Sequence, residues 1–282
     1  MATNTIIIVD NLHNQYQSQI ESKTVAYPLV NRTLESDLLK QGDTVKVKYV
    51  NNIDLDTAAS SGLAITESDF VELSDDLVVD TTKNKNFQIK DIEVIRNNLN
   101  EQLKMTELIS NAAARDLDKA ALAAAVAGAG TILNSGTPDT MTAENVYAEI
   151  EEMRVTLDEN GLDGAGMQYL FLDAKRASLL RQSAVYTGTE GGLTARAKAY
   201  IGMISGFEVY QSNHIPTADA GVNTYMVAFD DMSVHGAEQM NKFKVTDSTN
   251  SMSSNVLYEL VYGIDVLGLN PARIVASKIT VA

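Results

Sequence analysis

The chain has 282 residues, 45% of them hydrophobic, which is enough for a core in one large domain or two smaller ones. Its 37 acidic and 22 basic residues give a formal net charge of -15, which disfavours tight binding to bare phosphates through a broad basic face. The sequence contains no cysteine, which excludes disulfides, thiolate catalysis and cysteine-ligated metals and suits folding in a reducing compartment. The apolar run from Ile6 to Val9 is too short for a signal peptide or a membrane span, so we expect neither.

The first third of the chain predicts an arm followed by strands. Residues 1–41 are polar and weakly periodic, which indicates an extended N-terminal arm. Alternation of apolar and polar residues predicts strands at 44–49, 70–79 and 85–89, with the polar stretch 51–69 between the first two. This pattern indicates an extended hairpin. Since a hairpin cannot bury both faces alone, we expect it to lie on another surface, for which a second copy of the chain is a candidate.

A long helix is predicted from residue 91 to residue 127. Apolar residues recur there at steps of three and four, and no proline or glycine interrupts the segment before Gly128 and Gly130. At a rise of 1.5 Å per residue the helix would be roughly 50 Å long. Its inner positions change from large residues to alanine without a sustained heptad, which favours a spine crossing the molecule over a coiled coil.

The remaining sequence predicts an α/β lobe and then further strands. The lobe contains a helix at 143–159 with Thr142 as its N-cap, a buried strand at 167–172 and a helix at 174–182, and strands at 207–211 and 224–229. Strands are predicted again at 243–246, 256–266 and 273–281. We find no internal repeat, and the fold class expected is α+β.

Candidate catalytic and ligand-binding residues are few, and each has a simpler structural explanation. His13, His214 and His235 lie far apart and lack the helical spacing of zinc ligands, and the segment that starts with Asp158–Gly164 departs from a calcium loop at its fifth, sixth and twelfth positions. Other weak candidates are the glycine cluster 188–192, Ser205, and the carboxylate pairs Asp54/Asp56 and Asp75/Asp76. We therefore predict no catalytic, cofactor-binding or metal-binding residues.

The most informative segment is LTARAKAYIGMISGFEVYQSNHIP, residues 193–216. Its stretch rich in Thr and Arg leads to the spaced glycines Gly202 and Gly206, a short strand, and a turn from Asn213 to Pro216. Further motifs follow a fixed order around it: GDTV from Gly42, SNAAARDLDKAAL, VYAEIEEMRVTLDENGL, and VYGIDVLGLNPARI near the end. In this order they resemble the major capsid proteins of tailed bacteriophages with the Hong Kong 97-type fold, especially the coat proteins of short-tailed phages.

The resemblance implies a domain arrangement. Residues 1–41 would be the N-terminal arm, and residues 42–130 the first part of a peripheral domain with an extended loop at about 50–88 and the spine helix at about 91–127. Residues 131–242 would form the axial domain, and residues 243–282 the returning strands of the peripheral domain. In that family the extended loop lies over a neighbouring subunit.

The resemblance also implies a function. The chain would be a non-catalytic coat protein without cofactors, assembled from hexamers and pentamers into an icosahedral shell around the phage genome. Scaffolding, portal and decoration proteins are candidate partners, contact with packaged DNA would be non-specific, and no membrane is expected. Folding and assembly would occur in the bacterial host cytoplasm, and the mature location would be the virion capsid. An acidic balance also suits an interior that must not trap the entering genome.

Two other functions stay open at the level of sequence. An encapsulin-like nanocompartment shell shares the same fold, and a soluble α/β enzyme could carry a site without a recognisable motif. Closed particles would support either shell, whereas a small oligomer with a ligand-filled cleft would support the enzyme.

Overall fold

A computed structural model describes residues 24–34, 44–50, 72–90, 100–162, 166–183, 200–247, 253–268 and 270–281. The α-helices in these ranges are α1 (Asn100–Ala127), α2 (Val146–Leu157) and α3 (Ala174–Gln182). The strands are β1 (Thr44–Val50), β2 (Glu72–Val78), β3 (Thr81–Lys90), β4 (Thr131–Ile132), β5 (Asp139–Met141), β6 (Gln168–Leu172), β7 (Tyr200–Ile204), β8 (Phe207–Gln211), β9 (Thr217–Ala218), β10 (Asn223–Asp230), β11 (His235–Asp247), β12 (Ser253–Asp265) and β13 (Ile274–Val281).

An eight-stranded sheet forms the larger lobe. Its main path runs in the order β4, β13, β10, β6, β8, β7, with β5 paired to β13 and β9 paired to β10. Every residue of β6 is buried, because both faces of the strand are covered. Leu170 and Leu172 point to a core shared with α2 and α3, whereas Phe171 points to a second core shared with the C-terminal half of α1.

Aromatic rings occupy the second of these cores. Phe171 stacks on Phe229 with ring centroids 5.4 Å apart and on Tyr210 with centroids 5.6 Å apart. Contacts of this kind add to the stability gained from burying the rings. The sheet and α1 are therefore joined by large side chains from the sheet and small ones from the helix, among them Ala121 and Ala125.

The smaller sheet has three antiparallel strands in the order β11, β12, β3. Tyr258 and Leu260 of β12 pack against the face of α1 that carries Ile109, Ala113 and Leu117. Alanine on this face permits close approach of helix and sheet, and it also favours the helix intrinsically. The hairpin of β1 and β2 is a separate two-stranded sheet.

Most of the predicted elements are confirmed within the described residues, with changed boundaries. The helix α3 has the predicted bounds, and β6 begins one residue later than predicted. The spine helix is described from Asn100, and residues 91–99 lie outside the described ranges. The strand predicted at 243–246 is far longer, because β11 begins at His235 and pairs along almost all of β12.

One prediction is wrong in detail, and one strand lies in a sheet that the predicted domain limits did not indicate. Thr142 is not the N-cap of α2: the helix starts after Asn145, whose side chain accepts the Thr142 N–H at 2.7 Å and donates to the Thr140 carbonyl, so it closes the preceding turn. The final strand, β13, was grouped with the returning strands 243–282. It lies instead in the eight-stranded sheet between β10 and the short strands β4 and β5, where Ile274 and Val275 are fully buried.

Candidate functional site

The hairpin of β1 and β2 presents one charged face to solvent. Lys48 and Glu72 form an ion pair of 3.0 Å, and Lys46 lies 3.9 Å from Asp76 across the two strands. Exposed pairs of this kind contribute at most about 1 kcal/mol. The charged face is therefore weakly held by its own contacts and is available to another surface.

The opposite face of the hairpin packs on the chain's own three-stranded sheet. Leu77 is fully buried in a small cluster with Val261 and Leu267, and Val45 and Val47 pack against the same cluster. Alternation puts these apolar side chains on one side of the hairpin. The sequence analysis named a second copy of the chain as a candidate for this surface, but the described base of the hairpin lies on the same chain. Residues 51–71 lie outside the described ranges.

The VYGIDVLGLNPARI motif named in the sequence analysis lies where the hairpin, the spine helix and the end of β12 meet in the structure, at a contact region that we call the joint. A Cβ atom on Gly263 would lie 2.2 Å from the carbonyl oxygen of Val78, so β12 and the end of β2 touch backbone to backbone. Five residues later, the Gly268 N–H donates to the Asp75 carboxylate at 2.7 Å. Only glycine permits the first of these approaches.

The same joint fixes the end of the spine helix. A Cβ atom on Gly128 would lie 2.5 Å from Cγ2 of Val266, and one on Gly130 would lie 2.4 Å from the carbonyl oxygen of Pro271. The Gly130 N–H donates to that oxygen at 2.8 Å. The two glycines, which follow the predicted last residue of the spine helix, therefore allow close packing of residues 266–271 on the end of α1.

The joint reaches the eight-stranded sheet through polar contacts. Arg273 forms an ion pair with Asp230, which is almost fully buried at the end of β10, and the bond from its Nε is 2.8 Å long. Asn160 donates to the carbonyl of Ala272 at 2.9 Å. Residues 263–273, which we call the joint segment, thus contact the hairpin, the spine helix and the lobe.

The segment singled out by the sequence analysis folds as a hairpin from residue 200. β7 and β8 are joined by a two-residue turn, Ser205 and Gly206, with φ angles of 51° and 82°. Positive φ at both positions is typical of a tight turn that matches the strand twist. The Ser205 hydroxyl donates to Glu151 of α2 at 2.7 Å, so this serine tethers the turn to the helix. Hydrogen bonds from Tyr147 and Ser205 lower the pKa of Glu151.

A groove of about 540 Å³ separates α1 from the segment that follows β8. Asp118, Ser212 and His214 line it, a set of residue types that occurs in hydrolase triads. Their hydrogen bonds are structural instead: the Ser212 hydroxyl accepts the backbone N–H of His214 at 3.2 Å, and Asp118 accepts backbone N–H groups of residues 25–27. The pKa of His214 is lowered because the ring is partly buried, and the nearby carboxylate of Asp118 offsets only part of this effect. Sequence reasoning missed this groove because Asp118 and His214 are far apart in the chain.

The other candidate residues are dispersed. His235 begins β11, and its Nδ1 lies 3.4 Å from Nδ2 of Asn270. Asp75 and Asp76 serve different contacts, the joint segment and Lys46. The segment Asp158–Leu162 continues α2 as a single wide turn with Gly161 at a φ of 85°, which agrees with a helix end. His13, Asp54, Asp56 and the glycine cluster 188–192 lie outside the described residues.

Neither a metal centre nor a membrane helix is found in the part of the chain that the structure describes. No group of three His, Asp or Glu side chains is placed to hold a metal ion there. No described helix combines the length and apolar character needed to cross a bilayer. The features that stand out are therefore the hairpin, the joint segment, the groove and the sheet edges.

Solved structures with the same fold come from several phages. A structure from Mycobacterium phage Che8 has a TM-score of 0.73 at 22% identity, covering 90% of this chain and 91% of that chain. The capsid structure of Cyanophage P-SCSP1u has a TM-score of 0.71 at 18% identity, covering 93% and 89%. A virus-like particle from Pyrococcus furiosus has a TM-score of 0.56 at 11% identity, covering 95% and 98%. The likeness shows the Hong Kong 97-type α+β fold.

Sequence comparison assigns the family. No curated protein matches the chain. Residues 74–277, well over half of the chain, match the phage capsid protein family. This range contains the spine helix, nearly all of both larger sheets and the joint segment. The chain belongs to the phage capsid protein family, and its role is that of a major capsid protein.

Proposed function

We propose that copies of this capsid protein form the hexamers and pentamers of an icosahedral shell that encloses the genome of a tailed phage. The family match over residues 74–277 carries the proposal, because it includes the spine helix, the joint segment and nearly all of both larger sheets. The likeness to phage structures over nine-tenths of the chain supports it. Rings of like subunits require two different surfaces on each copy.

The sheet edge offers one such surface. β7 is the last strand on the main path of the eight-stranded sheet and therefore forms one edge of that sheet among the described strands. Met203 of this strand is 60% exposed. Exposed edges with apolar side chains invite pairing or packing with another chain. A contact between copies at β7 would cover both features.

The division into domains is also a proposal, and strand pairing supports revised limits. The peripheral domain would contain residues 42–130 together with β11, β12 and the joint segment, because these pack on the hairpin and the spine helix. The axial domain would contain residues 131–234 and β13, which share the eight-stranded sheet. The N-terminal arm, residues 1–41, would remain separate from both.

The protein would act without catalysis, cofactor or metal. Asp118 and Ser212 of the groove, whose residue types occur in hydrolase triads, accept hydrogen bonds from backbone N–H groups instead. Scaffolding, portal and decoration proteins would be its partners, contact with DNA would be non-specific, and assembly would take place in the host cytoplasm. The net charge of -15 supports weak affinity for the packaged genome.

Electron microscopy of the recombinant protein, alone and with a co-expressed scaffolding protein of the same phage, tests the shell directly. Closed particles of uniform diameter are expected. A stable monomer or dimer at every concentration and salt condition, together with a bound small molecule in the groove, would contradict the proposal and favour an enzyme. Particles that load a short peptide from a cellular enzyme, and no DNA, would favour the nanocompartment.

A matched pair of variants tests the sheet edge. Met203→Glu places a charge on β7, whereas Met203→Leu keeps the apolar character and nearly the volume. Closed particles should form with Met203→Leu and fail with Met203→Glu, while both unassembled subunits unfold at the same denaturant concentration. Normal particles from Met203→Glu would exclude this edge as a contact between copies.

A further inference from the structure

The two outer strands of the eight-stranded sheet, β8 and β7, are well covered on one face only. On the side of α2 and α3, Phe207 and Val209 of β8 are fully buried in the main core of the lobe. On the opposite side, α1 packs on β10 and β13 and shares a core with the rings of β6. The side chains of β8 and β7 on that second side are half-buried or exposed.

The strand register identifies the side chains of this open face. Tyr200 pairs with Tyr210, and Met203 pairs with Glu208. Residues directly opposite each other in paired strands lie on the same face of a sheet, as do residues two apart in one strand. Met203 is 60% exposed, and the other three side chains are half-buried. We call these four side chains the β7–β8 face.

The tyrosines of the β7–β8 face continue a row of rings that begins in the core. Phe229 is fully buried and stacks on Phe171, which in turn stacks on Tyr210. The ring of Tyr200 follows, with its centroid 5.4 Å from that of Tyr210. Tyr200 is therefore held by a neighbouring ring and is still half exposed to solvent. A ring that is already held loses little conformational freedom when a partner covers it, which suits an interface anchor.

The β7–β8 face carries little charge for a chain with a formal net charge of -15. Its one carboxylate, Glu208, accepts the Tyr210 hydroxyl at 3.0 Å. Copies of a strongly acidic chain repel each other, so contacts between them are favoured where charges are few. Tyr and Met are also enriched in protein interfaces, whose centres are depleted of charged residues. The face therefore fits a second copy of this chain better than a strongly basic or acidic partner.

We propose that the β7–β8 face is covered by a second copy of the chain in the assembled shell and that Tyr200 is the anchor of this contact. The inference rests on the proposed function and extends it, because a contact at the edge of β7 alone would leave the two tyrosines in water. Since β7 borders the sheet, a copy that meets its edge is also placed to lie over this face.

Methionine oxidation tests whether the face is open in the subunit and covered in the shell. Hydrogen peroxide transfers one oxygen atom to the Met203 sulfur, which gives the sulfoxide and water. In the unassembled full-length protein, Met203 should react about as fast as Met232, which is 56% exposed. In closed particles the reaction of Met203 should be at least about tenfold slower, as measured by mass spectrometry of peptides. Met226 is fully buried and serves as the unreactive reference in both states.

Two results of the oxidation experiment would overturn the proposal. Slow oxidation of Met203 in the unassembled protein would mean that the chain itself covers the face. An unchanged rate in closed particles would mean that the face stays in contact with water in the shell.

Substitutions at Tyr200 test the anchor and the chemistry of its partner. Tyr200→Glu and Tyr200→Lys change the net charge in opposite directions, whereas Tyr200→Phe keeps the ring. Both charged variants should lower the yield of closed particles at least about tenfold, because each would bury an unpaired charge between copies. Tyr200→Phe should form particles normally. Circular dichroism of the unassembled subunits should show the same folded spectrum for all three variants.

The outcomes separate this inference from the proposed function. Normal particles from both charged variants and from the wild type would refute the anchor and leave the shell proposal intact. Loss of particles with Tyr200→Lys alone would indicate a basic partner, and loss with Tyr200→Glu alone an acidic one, and either would overturn an uncharged contact with a second copy. Failure of the wild type to form particles would overturn both proposals. If the charged variants do not fold, the oxidation of the wild-type protein decides.

Discussion

The lobe and the hairpin region are stabilised in different ways. Among the described residues, the main core of the lobe contains eighteen buried apolar side chains from strands and two helices, whereas the cluster under the hairpin contains five. The strand β6 is buried on both faces, while β1 alternates between exposed and half-buried residues. Stability from apolar burial scales with the area removed from water, so the lobe carries most of it.

The contrast between the two regions shows how the hairpin, which has only a small apolar core, can still have a defined position. The hairpin has too small a core to be stable alone, but its backbone meets β12 at Gly263 and the joint segment at Gly268. The position of the hairpin is thus fixed by close backbone contacts and by the Asp75 carboxylate, whereas the strands of the lobe are held in place by a large apolar core. If this is right, the two regions should respond differently to truncation, insertion of a methyl group and loss of charge.

The largest effect is expected from Phe171→Ala. This residue is fully buried and stacks on two aromatic rings, so truncation should lower the free energy of unfolding by about 3 to 5 kcal/mol. Guanidinium denaturation of the unassembled subunit measures the change. Met203→Ala, on an exposed position, should change it by less than about 0.5 kcal/mol. Equal effects of the two would refute the assignment of the main stability to the lobe.

A smaller and more local effect is expected from Leu77→Ala. The side chain is fully buried, but in the five-residue cluster, so the loss should be about 2 to 3 kcal/mol. Because the lobe core is untouched, hydrogen exchange should speed up at the Gly268 amide and remain unchanged at Val227. Loss of protection at Val227 would show that hairpin and lobe unfold as one unit.

Gly263→Ala tests the backbone contact. The added methyl group would meet the Val78 carbonyl, and overpacking of this kind costs about 1 to 3 kcal/mol. The matched control is Gly166→Ala, whose methyl group would meet only the carboxylate of Asp231, an exposed side chain that can move. Thermal unfolding should show a lower Tm for the first variant alone. A normal Tm for Gly263→Ala would mean that the contact relaxes easily.

The smallest effect concerns pH and Glu149. The pKa of this carboxyl is raised because burial disfavours its charged form, and the hydrogen bond from Ser277 offsets only part of this increase. The folded state therefore holds the proton more tightly than the unfolded state, so the contribution to stability is complete below the unfolded pKa and is lost as pH rises through the folded value. The wild-type protein should thus lose stability relative to Glu149→Gln as the pH is raised through the range above about 4, the ordinary pKa of a glutamate.

Denaturation of both proteins across that pH range measures the difference. Glu152→Gln, an exposed position on the same helix, controls for the loss of one negative charge. A difference between wild type and Glu149→Gln that grows in favour of the wild type with rising pH would contradict the sign.

Local patterns in the sequence predicted the elements well. The apolar run YLFL within β6 is too short for a helix and is flanked by a glycine-rich stretch and an acidic cap, which made it a buried strand. The alanine-rich segment of α1 combines strong helix propensity with a small inner face. The family resemblance, based on the order of such motifs, is confirmed by the family match and by the fold.

The contacts between elements that are distant in the sequence could not be predicted in the same way. Nothing in the alternation of β13 distinguishes pairing with β10 from pairing with β12, because both strands offer apolar faces. Asp118 and His214 approach only because α1 and the end of β8 border the same groove. A glycine inside the apolar run of β12 does signal close approach, but it does not say that the neighbour is Val78.

The contact of Gly263 with Val78 has a mechanical consequence. No side chain lies between the two backbones at this crossing, so there is no rotamer that could absorb a small displacement. A force on the hairpin is therefore passed directly to β12, and from there to the spine helix on which Tyr258 and Leu260 rest.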